Sequence, residues 1–189
     1  MSNELQLYGK TRIEISSVPT GKAIELVYDY WVRDVIGFAN TLIDTFGEEK
    51  AGEIIRKVRY KEPYEEGKRA AEKLGHPKDI DAYIDNYFMR KAPSSMEEYF
   101  ASSTKAPFWV APGQFPYRTE CKAVFRTSEY CFKAEAIKRF ADKDMCRFLG
   151  DYYCVHDAAW ANGFNSDMRI EMTKNFLWGD ACCEWAFEI

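Results

Sequence analysis

The sequence predicts an α+β fold: a helical N-terminal half, then an antiparallel sheet with packed helices in the C-terminal half, ending in a β-hairpin. Two patterns predict it. Apolar residues recur at three- and four-residue steps through most of the first hundred positions, and they alternate at two-residue steps over 168–173 and 183–189. Helices interposed among the later strands, with no repeat, low-complexity tract or linker, place residues 1–189 in a single domain, mainly helical over 1–105 and α+β over 106–189.

Taken in order, residues 10–16 alternate Ile13 and Ile15 against Arg12 and Glu14, a short strand before the Pro19 turn. From Thr20, a candidate N-cap, the positions Ile24, Val27, Tyr28, Trp31, Val35, Phe38, Leu42 and Phe46 trace one helix face until Gly47. Three shorter helices follow: Ala51 to Val58; Pro63 to Leu74, with proline at the first position and Gly75 after the last; and Ile80 to Phe88. Ser94-Ser95-Met96-Glu97 fits a capping box opening another. Aromatic stripes at helical spacing are read as core contacts rather than a cofactor box.

At Ala106 the composition shifts. Phe108-Trp109-Val110 and Glu120 to Thr127 read as strands around a Pro112-Gly113 and Pro116 turn region, with Cys121, Ala123 and Phe125 facing inward. A helix starts after Thr127 or Ser128, with Cys131 in its first turns, and another runs from Lys143 to Asn162, capped by Asp142 and stopped by Gly163. Met168, Ile170 and Met172, the Trp178-Gly179-Asp180 turn, and then Cys183, Trp185, Phe187 and Ile189 make the closing hairpin.

The charge balance, 26 Lys plus Arg against 30 Asp plus Glu, offers no basic face, so nucleic acid is not an expected partner. No segment approaches the roughly 20 apolar residues of a membrane span, and the N-terminal residues lack a signal-peptide pattern. A soluble, cytoplasmic protein with reduced cysteines is expected, with a homodimer as the assembly because two-fold dimers are commonest.

The chemistry-bearing residues cluster late. Cys131, Cys154 and Cys183 lie 23 and 29 residues apart, and only the fold brings them together. On one continuous 143–162 helix, Cys154 and Asp157 share a face beside Ala158 and Ala161, while His156 points about 200° away from Cys154. The bland reading of Cys183 is a small hydrophobe among aromatics. Against it stand two functional readings: a zinc site from Cys131, Cys154, Cys183 and Asp157, which lacks the short-range ligand pair such sites usually carry, or a nucleophilic thiol assisted by Asp157. Cys131, near a helix start, meets the condition for a lowered thiol pKa better than a mid-helix Cys154. His76 reads as an exposed turn residue.

Cys131, the Cys154-x-x-Asp157 pair, Gly163-Phe164-Asn165, the Met168 to Asn175 strand and Gly179-Asp180-x-x-Cys183-x-Trp185 together resemble the L-2-amino-thiazoline-4-carboxylic acid hydrolase family, over about residues 105–189. Asn165 is followed here by Ser166 where the family pattern has proline, and Trp178 precedes the Gly-Asp turn. The resemblance implies hydrolytic opening of a small cyclic amidine or thioimidate, with release of a carbamoyl-cysteine; no cofactor is expected unless the thiols hold zinc. Catalytic candidates are Cys131, Cys154, Asp157 and Cys183, and His156, Asn165 and Thr173 are the expected substrate contacts. Asp157 would hold the amidinium or act as general base, and Cys131 would ionise most easily. The alternative is a non-catalytic domain similar to vinyl-reductase-type and trafficking-adaptor domains, binding a small ligand in an apolar cavity among inert thiols.

Overall fold

The computed structural model describes residues 4–7, 11–14, 20–87, 113–127 and 131–189. A small antiparallel pair, β1 (Glu4–Leu7) and β2 (Thr11–Glu14), precedes helices α1 (Thr20–Phe46), α2 (Glu48–Lys73) and α3 (Ile80–Tyr87). Strands β3 (Gly113–Arg118) and β4 (Lys122–Thr127) lead to α4 (Phe132–Phe140), α5 (Lys143–Tyr152) and α6 (His156–Phe164), and β5 (Arg169–Lys174) and β6 (Cys183–Glu188) close the chain. The four later strands form one antiparallel sheet in the order β3-β4-β6-β5, so the protein is α+β as the sequence predicts. The expected capping box at Ser94 and the strand at Phe108 lie outside the described residues.

Alternation sets which sheet face meets the helices. Across β4, β6 and β5 the inward rows are Ala123-Phe187-Ile170 and Phe125-Trp185-Met172, with Thr127 opposite Cys183 at the end. The outward rows carry alternating charge: Lys122 with Glu188 at 2.8 Å, and Glu184 accepting from Arg126 Nε at 2.7 Å and from Thr173 Oγ1 at 2.9 Å. Ala123, Phe125, Trp185 and Phe187 pack with Tyr83, Trp160 and Phe164 in one apolar cluster, while α1, α4, α5 and Leu177 build a second around Val32, Phe132, Ile137 and Leu149.

Five sequence expectations are corrected. The helices expected at 51–58 and 63–74 are one helix, α2, with Pro63 buried inside it. Proline in a helix interior forfeits the backbone bond to the residue four positions earlier and costs roughly 3 kcal/mol, so tertiary packing must hold α2 together. That packing is its contact with α6. A Cβ on Gly67 would lie 2.0 Å from the Trp160 carbonyl oxygen, and one on Gly163 would lie 2.0 Å from the Tyr64 carbonyl oxygen. Gly163 is therefore a helix-crossing residue rather than a stop.

Conversely, the single helix expected over 143–162 is two, broken at Tyr153, Cys154 and Val155. No glycine or proline marks the break. Its cause lies across the interface, where α2 engages both pieces. Gly52 admits the Tyr152 ring, Arg56 Nη2 donates to the Asp151 carbonyl at 2.8 Å, Arg59 stacks over Tyr153, and Tyr60 Oη donates to Asn162 Oδ1 at 2.7 Å.

The other two corrections concern the β3-β4 hairpin. Residues 113–118 form edge strand β3, with a register irregularity spanning Pro116, where an edge tolerates proline. Cys121 sits exposed in the turn before β4, one residue ahead of the strand and two ahead of Ala123, where the inward alternation begins.

Replacing Gly163 by alanine should lower the unfolding free energy in urea by about 2–3 kcal/mol, because backbone must move to admit the methyl. Gly37→Ala, where nothing lies within 4 Å of the added carbon, should be neutral or stabilising by up to ~1 kcal/mol. Equal stability of Gly163→Ala and the parent would contradict the close crossing.

Candidate active site

Cys131 is the N-cap of α4, and its Sγ accepts a hydrogen bond from the Ala134 amide at 3.4 Å. Cys154 lies in the break, two residues ahead of α6, and Asp157 falls in that helix's first turn. The break thus moves Cys154 from the mid-helix position the periodicity assigns it to the positive end of α6. Asp157 Oδ1 accepts from Tyr87 Oη on α3 at 2.7 Å, which fixes one carboxylate oxygen and leaves the other for a ligand. His156 stacks against the Tyr87 ring with centroids 6.3 Å apart.

Cys183 enters from the sheet. Thr127 Oγ1 accepts from the Cys183 amide at 2.9 Å and donates to its carbonyl at 3.2 Å, while Cys183 Sγ accepts from the Phe176 amide at 3.4 Å. Behind it Asn175, 0% exposed, ties the loop together. Its Oδ1 accepts from Leu177 N at 2.9 Å, its amide donates to Asp180 Oδ2 at 2.8 Å, and its Nδ2 donates to the Gly150 carbonyl at 3.4 Å. Gly179 supplies the left-handed φ of 98° that turns the chain back. The Gly179-Asp180-x-x-Cys183 run is therefore a device that aims Cys183 inward.

The three thiols are electrostatic neighbours, and the group that joins them is Lys133, in the first turn of α4. Burial alone would lower the Lys133 ammonium, but Cys154, Cys131, Tyr153 and Asp157 pull the other way and raise it, so it is charged at neutral pH. Lys133 Nζ stands 5.7 Å from the Tyr153 ring centroid, and the Arg59 guanidinium covers the same ring at 4.4 Å. Burial pushes the Cys131 thiol up to about 11 and Cys183 up to about 12, with Lys133 only partly opposing it. The expectation that Cys131 ionises most easily is thereby corrected: desolvation of a buried thiolate outweighs the helix terminus. Burial likewise lowers His156, against the pull of Asp157, which keeps the imidazole neutral at pH 7.

Cys131, Cys154, His156, Asp157 and Cys183 are thus brought into one neighbourhood. Asn165 and Thr173 are not. Asn165 ends α6, about 12 Å along the axis from Asp157, and its side chain accepts from the Asp167 amide and donates to the Lys78 carbonyl, each at 3.0 Å. Thr173 is exposed on the outer sheet face, bonded to Glu184. Among the described residues no group of three or more His, Cys, Asp or Glu is arranged to hold a metal, so the three thiols with Asp157 are not a ligand set. A shallow groove of about 580 Å³ also lies over the sheet, lined by Tyr117, Lys122, Val124, Arg169, Glu171 and Ala186, but no thiol reaches it. All six cysteines are free, and no described helix is long and apolar enough to cross a membrane.

Sequence reasoning missed Lys133, Tyr87, Arg59, Tyr153 and Asn175. Only Lys133, two positions after Cys131 at a helix start, carried a local signal.

A family model described as L-2-amino-thiazoline-4-carboxylic acid hydrolase matches residues 34–187, extending the resemblance through α2 and into the second half of α1. No curated protein matches the chain.

The raised thiols carry a pH signature. Each is neutral in the folded protein above the ordinary thiol value of 9.0, where the unfolded chain releases its proton. Their contribution is whole below 9 and is lost as pH rises through 11 to 12. Urea unfolding across this range should show a decline that is shallower in the Cys131→Ser/Cys183→Ser double variant. An unchanged slope in that variant would contradict the assignment.

Proposed function

We propose that this chain, which belongs to the L-2-amino-thiazoline-4-carboxylic acid hydrolase family, opens a small cyclic amidine of the 2-amino-thiazoline-4-carboxylate class, with Cys154 as nucleophile. The observation that carries this reading is the convergence of Lys133 and Asp157 on Cys154 at the start of α6. Of the three clustered thiols, Cys154 lies in the helix break at the start of α6 and, like Cys183, is half-buried. Burial pushes the Cys131 and Cys183 thiols up. Those two form the wall of the site.

The ring carbon C2 bears the ring sulfur, the ring nitrogen and an exocyclic amine, so it is electrophilic when the amidine is protonated. Asp157 accepts the Cys154 proton while Lys133 stabilises the developing thiolate. The sulfur attacks C2, the bond from C2 to the ring sulfur breaks, and the proton passes from Asp157 to that sulfur. An isothiouronium on Cys154 results. Water then adds to C2 as Asp157 takes its proton, and the C2 bond to Cys154 breaks as the leaving sulfur takes the proton of the new C2 hydroxyl, so that the thiol returns, a carbamoyl-cysteine leaves and Asp157 gives up to solvent the proton the amidinium brought. The sum is one water added. Tyr87, donating to Asp157 Oδ1, keeps the carboxylate oriented through both proton transfers.

Incubation of the full chain with L-2-amino-thiazoline-4-carboxylate should yield a product one water heavier by mass spectrometry. Cys154→Ser and Asp157→Asn should each lower kcat at least roughly 100-fold, the scale of general acid-base and nucleophilic contributions, while Thr173→Val stays near the parent. Folded parent protein that binds the thiazoline without converting it would instead support the ligand-binding reading.

A further inference from the structure

Two buried polar atoms near the thiols have no partner: the Tyr153 hydroxyl and Arg59 Nε. Tyr153 is 5% exposed, and a buried hydroxyl or guanidinium N–H left unpaired is costly enough that one expects something to complete it. Both atoms belong to one stacked pair, with the Arg59 guanidinium 4.4 Å from the Tyr153 ring centroid and Lys133 approaching the same ring at 5.7 Å. Neither Arg59 nor Lys133 forms an ion pair among the described residues. The carboxylate that Lys133 feels is Asp157, on α6, whose Oδ1 is bonded to Tyr87. The site is therefore dipolar, with Asp157 at one end and two cations with an unpaired hydroxyl towards the other.

We propose that Arg59 and the Tyr153 hydroxyl form the subsite that receives the substrate's carboxylate, and that they make the protein selective for small carboxylated amidines over amidines that lack the carboxylate. The inference rests on the reading of Cys154 and Asp157 as the reacting end. A 2-amino-thiazoline-4-carboxylate is a zwitterion with an amidinium at one end and a carboxylate at the other, and it complements this polarity in one orientation only. With the amidinium against Asp157, C2 faces Cys154 and the carboxylate reaches the guanidinium fork, where Nε–H and an Nη–H can be engaged together. The Tyr153 O–H donates to the same group. Arg59 is then a binding residue that acts through orientation, and its position on α2, which engages both sides of the α5-α6 break, ties substrate recognition to the placement of Cys154.

The test pairs calorimetric binding with turnover, using L-2-amino-thiazoline-4-carboxylate and 2-amino-thiazoline, which keeps the amidinium and lacks the carboxylate, on full-length parent, Arg59→Gln, Arg59→Lys and Tyr153→Phe proteins. Arg59→Gln should weaken binding of the carboxylate roughly tenfold to a hundredfold, raise KM more than it lowers kcat, and leave the carboxylate-free amidinium bound no more weakly than by the parent. Arg59→Lys should restore part of the loss. Tyr153→Phe keeps the stacked ring, so it should unfold no more easily than the parent while binding the carboxylate more weakly, a combination that a purely structural hydroxyl does not give. Equal losses for both ligands in Arg59→Gln, or unchanged binding of the carboxylate, would overturn the subsite. Arg59-dependent binding without turnover would uphold the subsite and sink the hydrolase reading. Turnover insensitive to Arg59 would do the reverse, and a parent that neither binds nor converts the carboxylate would overturn both.

Discussion

The crossing of α2 and α6 is the contact on which the rest depends. Two glycines, Gly67 and Gly163, let the backbones of the two helices approach until a single methyl on either would strike a carbonyl oxygen. Such an approach fixes both the angle and the register of α6 against α2, since no side chain stands between them to yield. Because α2 remains one helix through Pro63, its earlier turns are fixed as well, and they hold the end of α5 through Gly52, Arg56 and Arg59. The three residues between α5 and α6 take up the change of direction. Cys154 stands in the three-residue break between two helices that α2 holds by separate contacts.

From that placement the electrostatics follow. The break gives α6 its own N-terminus, with Asp157 in the first turn, and sets Cys154 beside Lys133 from α4. Cys131 and Cys183 come close enough to feel the same ammonium, yet their burial leaves them neutral across physiological pH. Sheet and helices contribute differently: the sheet, through Thr127 and the Asn175-Asp180 loop, delivers a wall, and the helices deliver charge.

Much of the fold was legible in the sequence because large apolar side chains announce themselves by spacing. The α1 stripe, α3, the β4 alternation and the closing hairpin all depend on such residues, and each lies where the periodicity puts it within a residue or two. α2 was misread because its buried face is Ala51, Gly52, Pro63, Gly67 and Ala71, small residues that leave no hydrophobic period, and because Pro63 mimics a helix start. The α5-α6 break was invisible for the opposite reason: its apolar period continues through Tyr153 to Ala161, and the interruption is imposed by another helix. Of the site, the cysteines and Asp157 were found by residue type. Lys133 and Arg59 were not, since a lysine or an arginine on an amphipathic helix looks like a solvated charge until the fold surrounds it.

The most direct test of the account is to trap the covalent species. Full-length protein mixed with L-2-amino-thiazoline-4-carboxylate, quenched in acid within milliseconds and digested, is mapped by mass spectrometry for an adduct of the whole substrate mass. The account expects that adduct on the peptide bearing Cys154, and its disappearance as product forms. An adduct on Cys131 or Cys183 instead, or product released in the first turnover with no adduct on any thiol, would contradict the claim that the helix break exists to present Cys154.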